Sequence, residues 1–185
     1  KKTLVVVLTT VFVLTLFLSI SFLFQSKEVN ADIATGLVGH WKLDETSGTV
    51  AADSSGTNSG TLTNGPTWTA GKINNGLSLD GVNDQVQIPS GGVVGGNSAF
   101  TISFWYKTIS TTKGKVYSEG NSGNAAPFIY FSSNENNPGE MEFLMTANSV
   151  TYGGINTGAI GLNNGQWHHV VGVQRSGTDR ELFID

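Results

Sequence analysis

The residues best suited to chemistry lie in polar loops and on one strand-like segment. Ala52-Asp53-Ser54-Ser55-Gly56-Thr57-Asn58-Ser59-Gly60 gathers one carboxylate, several hydroxyls, an Asn side chain and flexible backbone carbonyls. Ca2+ takes about six to eight oxygens of this mixed kind, so the loop has the composition of a cation site. It has equally the composition of an Asx-rich turn in which Asp53 caps backbone N–H groups. The spacing is not that of an EF-hand, which places acids at alternate positions and ends on Glu. Glu140-Met141-Glu142 sets two carboxylates two residues apart, hence on one face of a strand. A retaining glycosidase needs such a pair, with the carboxyls about 5–5.5 Å apart.

His168 and His169 are adjacent, so on a strand they point to opposite faces and cannot grip one metal. We expect one to be tucked beside Trp167 and the other to be exposed. No Ser-His-Asp order, phosphate loop or zinc spacing is present. Aromatic rings are the usual platform for sugars. Trp41, Trp105 and Trp167 sit in patterned segments and read as core. Trp68, Tyr117 and Tyr152 lie in or beside Gly/Asn/Thr-rich stretches and are the candidate exposed ligand contacts. Loops held on a rigid scaffold commonly carry binding.

The elements that must position these residues are short strands. Val38–Leu43 alternates, with Trp41 and Leu43 on one face and His40 and Lys42 on the other. Leu77–Asp80 and Gln85–Ile88 alternate likewise, Val86 and Ile88 facing inward. Phe100–Lys107 sends Phe100, Ile102, Phe104 and Tyr106 one way and Trp105 the other, so both of its faces are expected to be covered. Phe128–Ser133, Met141–Thr146, Trp167–Arg175 and Arg180–Asp185 complete the set. Between them lie GTNSG, NNG, GVND, GGVVGG, NSGN and NENNPG, turn chemistries in which Gly and Asn tolerate positive φ. No segment after residue 36 sustains a 3.6-residue apolar period, and no repeat recurs at a fixed spacing. Many short strands with regular turn signals predict an all-β sandwich or barrel.

Lys1 and Lys2 precede an apolar run from Leu4 to Phe24, the form of an export signal or of a membrane anchor helix. Val29-Asn30-Ala31 offers small residues for cleavage before Asp32. Residues 1–31 are therefore read as signal peptide or anchor, 32–36 as linker and 37–185 as the folded domain. Both readings send that domain across a membrane, to a secreted or cell-surface location. The chain lacks Cys, which excludes a disulfide scaffold. Without residues 1–31, Lys+Arg falls from 10 to 7 and Asp+Glu from 14 to 13. The resulting charge of −6 excludes nucleic acid as a partner, and leaves the N-terminal segment as the one route to a membrane. The chain opens without Met and stops at Leu182-Phe183-Ile184-Asp185, in what reads as mid-strand. We read the domain as incomplete at its C-terminus and expect further domains in a longer chain.

Four blocks, GLVGHWKLDETSGTVAADSSGTNSGTL, GKINNGLSLDGVNDQVQIP, FTISFWYKT and QWHHVVGVQRSGTDRELFID, resemble successive parts of the laminin-G-like jelly-roll domains of the concanavalin A-like lectin/glucanase superfamily. The resemblance implies a two-sheet antiparallel jelly-roll sandwich. It also implies a structural calcium near the first block, with Asp53 and Asn58 as ligands and Asp80, in Asp80-Gly81-Val82-Asn83-Asp84, as a third acid. Glucanases of the superfamily carry E-x-D-x-x-E on a strand. Here the middle acid is Glu142 and the last position is Met145, so the resemblance implies no catalytic centre. The expected function is a non-catalytic extracellular module that binds a glycan or a protein surface. The alternatives are a glycoside hydrolase of the same fold and a structural spacer.

Overall fold

Antiparallel pairing accounts for every described strand of the computed structural model. Its described residues are 35–89, 93–94, 99–120, 128–147, 150–176 and 178–185, with side chains described except at 128, 146–147 and 150–153. The expected signal or anchor segment 1–31 lies outside them. Gly36–Asp185 forms one compact unit. Among the described residues the strands are β1 (Val50–Ala51), β2 (Gly60–Thr63), β3 (Thr67–Ala70), β4 (Asn75–Ser78), β5 (Gln85–Gln87), β6 (Phe100–Tyr106), β7 (Gly114–Glu119), β8 (Phe128–Ser133), β9 (Met141–Ala147), β10 (Val150–Asn156), β11 (His168–Gln174) and β12 (Arg180–Ile184). No helix occurs among them, and so none long and apolar enough to cross a membrane.

Two sheets carry the core. One has the order β10-β9-β8-β7 and the other β12-β11-β6. Alternation drives their facing: Ile129, Phe131, Met141, Phe143 and Met145 point inward from the first. Phe100, Ile102, Phe104, Val170, Leu182 and Ile184 meet them from the second. The inner layer is aromatic. Phe131 stacks on Phe143 with centroids 4.6 Å apart, and its ring meets Phe104 edge-on at 5.2 Å. Gly172 on β11 makes this possible, because a Cβ there would lie 2.3 Å from Phe131 Cζ. Two smaller pieces, β1-β2-β5 and the β3-β4 hairpin, precede the sandwich in the chain. This is an all-β architecture of antiparallel sheets consistent with the expected jelly roll.

The sequence-based reading departs from the structure in identifiable places. Val38–Leu43 is not a strand: it contributes one bridge, Trp41 to Asp53. Leu43 sits at φ 58°, a left-handed conformation that ends extended pairing. Asn74 and Asn134 also take positive φ, as the Asn-rich turns foretold, and so does Asn64 in the β2–β3 turn. Trp105 is not core. It stands on the outer face of β6 and keeps 41 % of its surface exposed. Lys72 Nζ lies 5.0 Å from its ring centroid, and His169 stacks on it at 4.9 Å. One histidine is tucked in, the His168 side chain keeping 13 % of its surface exposed, and His169 is half-buried rather than exposed. His168 Nδ1 meets Asp185 Oδ2 at 2.6 Å, and His169 Nε2 meets Ser103 Oγ at 2.8 Å.

Candidate functional site

Asp53 is the centre of its loop. Its Oδ1 accepts the N–H groups of His40 and Ser55, both at 2.9 Å, and the Ser55 hydroxyl at 2.7 Å. Its Oδ2 accepts the Asn58 N–H at 3.0 Å. The Asn58 carbonyl in turn accepts the Trp41 indole N–H at 2.9 Å, and its side chain donates to Val38 O at 3.1 Å. Asp53 thus performs the capping role that the sequence allowed. As a calcium site the loop supplies a single carboxylate, with Oδ2 the oxygen that retains acceptor capacity. Among the described residues no three His, Asp or Glu side chains gather around a common point. Asp80 serves a separate turn, its Oδ1 accepting the N–H groups of Val82 and Asn83.

The same bonds hold the Asp53 carboxyl well below the usual carboxylate range, the His40 N–H first and the Ser55 hydroxyl next, with burial opposing them. A group whose folded pKa is depressed contributes stability above its unfolded value, about 3.9, and loses it as pH falls further. Melting temperature should therefore drop on acidification below about pH 4, and Asp53→Asn should flatten that part of the profile. Parallel profiles for the two proteins would remove Asp53 from the acid transition.

The three aromatic candidates part company. Trp68, on β3, is half-buried, and its indole N–H donates to Gly48 O at 2.9 Å. Tyr117 is not an exposed contact. It lies on β7, packs against the core and meets Phe131 at 6.4 Å. Its hydroxyl donates to Glu119 Oε2 at 2.5 Å, and burial first, then Glu119, push its pKa far upward. Tyr152 falls on β10, and its side chain lies outside the described residues.

The richest constellation is one the sequence did not assemble, on the outer face of the four-stranded sheet. Register aligns Lys115, Ser132, Glu142 and Asn156 in a row across β7, β8, β9 and β10. At strand spacing the row spans about 14 Å. The next row carries Ser118, Tyr130, Leu144 and Gly154. Lys115 Nζ sits 3.1 Å from the Tyr130 ring centroid, and the Tyr130 hydroxyl donates to Glu142 Oε2 at 3.3 Å. Glu135, from the β8–β9 loop, is bonded to Lys113, lies 3.8 Å from Lys115 Nζ and accepts the Ser132 hydroxyl at 2.6 Å. Burial, then the charge of Glu135, raises the Glu142 carboxyl. Burial and Glu142 push Tyr130 up to about 12. Gly154 matters here, since a Cβ on it would lie 2.6 Å from Glu142 Oε1.

The two glutamates that sequence parity placed together have different fates. Glu142 reaches the outer face. Glu140 precedes β9 and is 1 % exposed, folded into the turn before the strand. Burial pushes its carboxyl up, but the Asn136 N–H, the Asn137 groups and the Asn156 amide outweigh that and hold it low. Met145, at the last position of the glucanase motif, points into the core. Sequence reasoning also missed Glu119, an inward carboxylate on β7 that accepts the Val94 N–H at 3.0 Å with both oxygens.

No curated protein matches the chain. The chain is similar in structure to an S-layer domain-containing protein from Clostridium thermocellum, with a TM-score of 0.54 and 27% sequence identity over 79% of this chain and 67% of that one. Residues 80–185, which hold both sheets of the sandwich, match the family Laminin_G_3, described as concanavalin A-like lectin/glucanases superfamily. With more than half of its length matched and its antiparallel sheets facing across an aromatic core, the chain belongs to the concanavalin A-like lectin/glucanases superfamily.

Proposed function

We propose that this domain is a non-catalytic binding module of an extracellular surface protein, and that it takes a glycan or a protein surface on the outer face of the β7–β10 sheet. The observation that carries this is the row Lys115, Glu142 and Asn156 beside Tyr130, a set of donors and acceptors on a rigid sheet, with the fully buried Ser132 bracing Glu135 between them. Few precisely placed polar groups on a preformed surface are what orient a ligand. The surface context draws support from the S-layer domain-containing neighbour, which also favours a place within a longer surface protein. A spacer role would need none of these side chains.

Hydrolysis is the second reading, favoured by the raised carboxyl of Glu142. A glycosidase pairs such an acid with an accessible carboxylate; Glu140 is sealed in its turn, and Glu135 is tied to Lys113 and Ser132 with its side chain 16 % exposed. Glycan-array binding by the wild type should be lost on Tyr130→Ala and weakened on Asn156→Ala, with no reducing ends released from bound glycans. Binding that survives both substitutions would move the site elsewhere. Reducing-end release abolished by Glu142→Gln would promote the hydrolase.

Calcium carries over in a narrower form. One carboxylate, completed by hydroxyls, carbonyls and water, gives a weak site of the extracellular kind, with Kd on the order of 10⁻⁴–10⁻³ M. Asp53 and Asn58 would hold the ion; Asp80 serves its own turn. Millimolar calcium should raise the melting temperature and chelator should lower it, with Asp53→Ala erasing the difference. Coincident melting curves in calcium and chelator would remove the ion from this reading.

A further inference from the structure

The chain contains three Asn-Gly pairs: Asn64-Gly65, Asn75-Gly76 and Asn164-Gly165. In such a pair the glycine backbone nitrogen can attack the Asn Cγ. A new C–N bond forms, the Cγ–Nδ2 bond breaks, and ammonia leaves with the proton from the attacking nitrogen. Water then opens the cyclic imide at either carbonyl, leaving Asp or isoaspartate. The reaction needs only water. It also needs a glycine N–H not committed to another acceptor, a backbone free to bend and an Asn side chain free to turn.

The structure sorts the three. Asn75 lies in β4. Its side chain donates to Asp44 O at 3.0 Å and its backbone N–H to Asp44 Oδ1, and Gly76 is buried. At Asn164 the following N–H, of Gly165, is bound to Thr108 O at 2.9 Å. The Asn164 Oδ1 is held by the Gln166 N–H at 2.8 Å and by His168 Nε2 at 3.1 Å. Asn64 and Gly65 are both exposed in the turn between β2 and β3, at φ 72° and φ 119°. Among the described residues no hydrogen bond engages the Gly65 N–H. One exposed bond holds the Asn64 side chain, from Nδ2 to Asn83 O at 2.8 Å.

That bond fastens the β2–β3 turn to the β4–β5 loop. The loop is itself closed by Asp84 Oδ2, which accepts the Asp80 N–H at 2.9 Å. Asp84 Oδ1 lies 3.6 Å from where a Cβ on Gly65 would be. We propose that Asn64 is a site of spontaneous deamidation through a succinimide, and that its conversion unfastens the β2–β3 turn from the β4–β5 loop. The product replaces the donor with a carboxylate. That carboxylate faces the Asn83 carbonyl and adds negative charge near Asp84, so attraction becomes repulsion. An isoaspartate also lengthens the backbone of the turn by one atom. The result is a one-way, age-dependent loosening of one edge of the domain.

Peptide mapping by mass spectrometry tests this on the native chain and on the same chain unfolded in urea, both in mildly alkaline buffer. Unfolded, all three pairs convert. Native, the Asn64 peptide should convert within about tenfold of its unfolded rate, while Asn75 and Asn164 are slowed by more than that. Protection of Asn64 equal to that of Asn75, or earlier conversion of Asn164, overturns the assignment. Asn64→Asp, which installs the product, should speed hydrogen exchange in residues 80–84 and leave the β8 and β9 amides unchanged. Unaltered exchange in 80–84 overturns the unfastening.

Discussion

Phe131→Ala is expected to lower the unfolding free energy by about 3–5 kcal/mol. Phe131 is fully buried at the centre of the inner layer, between Phe143, Phe104 and Tyr117. The loss combines the transfer free energy of the ring with the cavity left between two sheets that cannot collapse onto each other. Gly172 shares the same space from the opposite sheet, its hypothetical Cβ 2.3 Å from Phe131 Cζ. Gly172→Ala alone should cost about 1–3 kcal/mol through overpacking. The two effects are coupled. Phe131→Leu removes Cζ, so adding Gly172→Ala to Phe131→Leu should cost much less than adding it to the wild type. Urea unfolding of the four proteins reads the coupling directly. Strictly additive losses would show that ring and glycine do not compete for one volume.

Glu119→Ala should cost about 1–3 kcal/mol for each donor it leaves without an acceptor. Both carboxylate oxygens accept the Val94 N–H at 3.0 Å, and Oε2 accepts the Tyr117 hydroxyl at 2.5 Å. Val94 is 4 % exposed and Glu119 is 9 % exposed, so water does not readily replace the lost acceptor. Tyr117→Phe separates the two donors by removing the hydroxyl together with its need for a partner. In that background Glu119→Ala should cost less, and the Val94 amide should still exchange faster. Equal losses in both backgrounds would mean that the phenol contributes nothing to the buried network. A further arm compares Glu119→Gln, whose amide oxygen still accepts one donor and should recover part of the loss.

Much of the sandwich was legible in the chain because its central strands alternate cleanly. Phe128–Ser133 was read with the bounds it has in β8, and β6, β9, β11 and β12 were read within two residues of theirs. Strands that break the alternation were missed. In β7 the register shifts between Lys115 and Tyr117, and in β10 between Thr151 and Gly154. A bulge of this kind moves the following side chains to the other face, so Tyr117 turned inward although its place beside Gly/Asn/Thr-rich stretches suggested an exposed contact. Trp105 shows the converse. Its position in an apolar strand suggested a covered outer face, yet Lys72 and His169 cover it only in part.

The candidate site divides in the same way. Asp53 announced itself, because a capping carboxylate finds its donors within a few residues: Ser55 and Asn58 are two and five positions away. The parity of Glu140 and Glu142 was also written locally, but the turn that buries Glu140 was not. The row of Lys115, Ser132, Glu142 and Asn156 draws one residue from each of four strands, and no spacing in the chain marks it. By itself the sequence determined the class of fold, the inward and outward faces of its regular strands and the turns between them, all consequences of neighbours one to five residues apart. Only the tertiary structure decided which outward side chains share a surface, because register and bulges are set by packing between segments far apart in the chain.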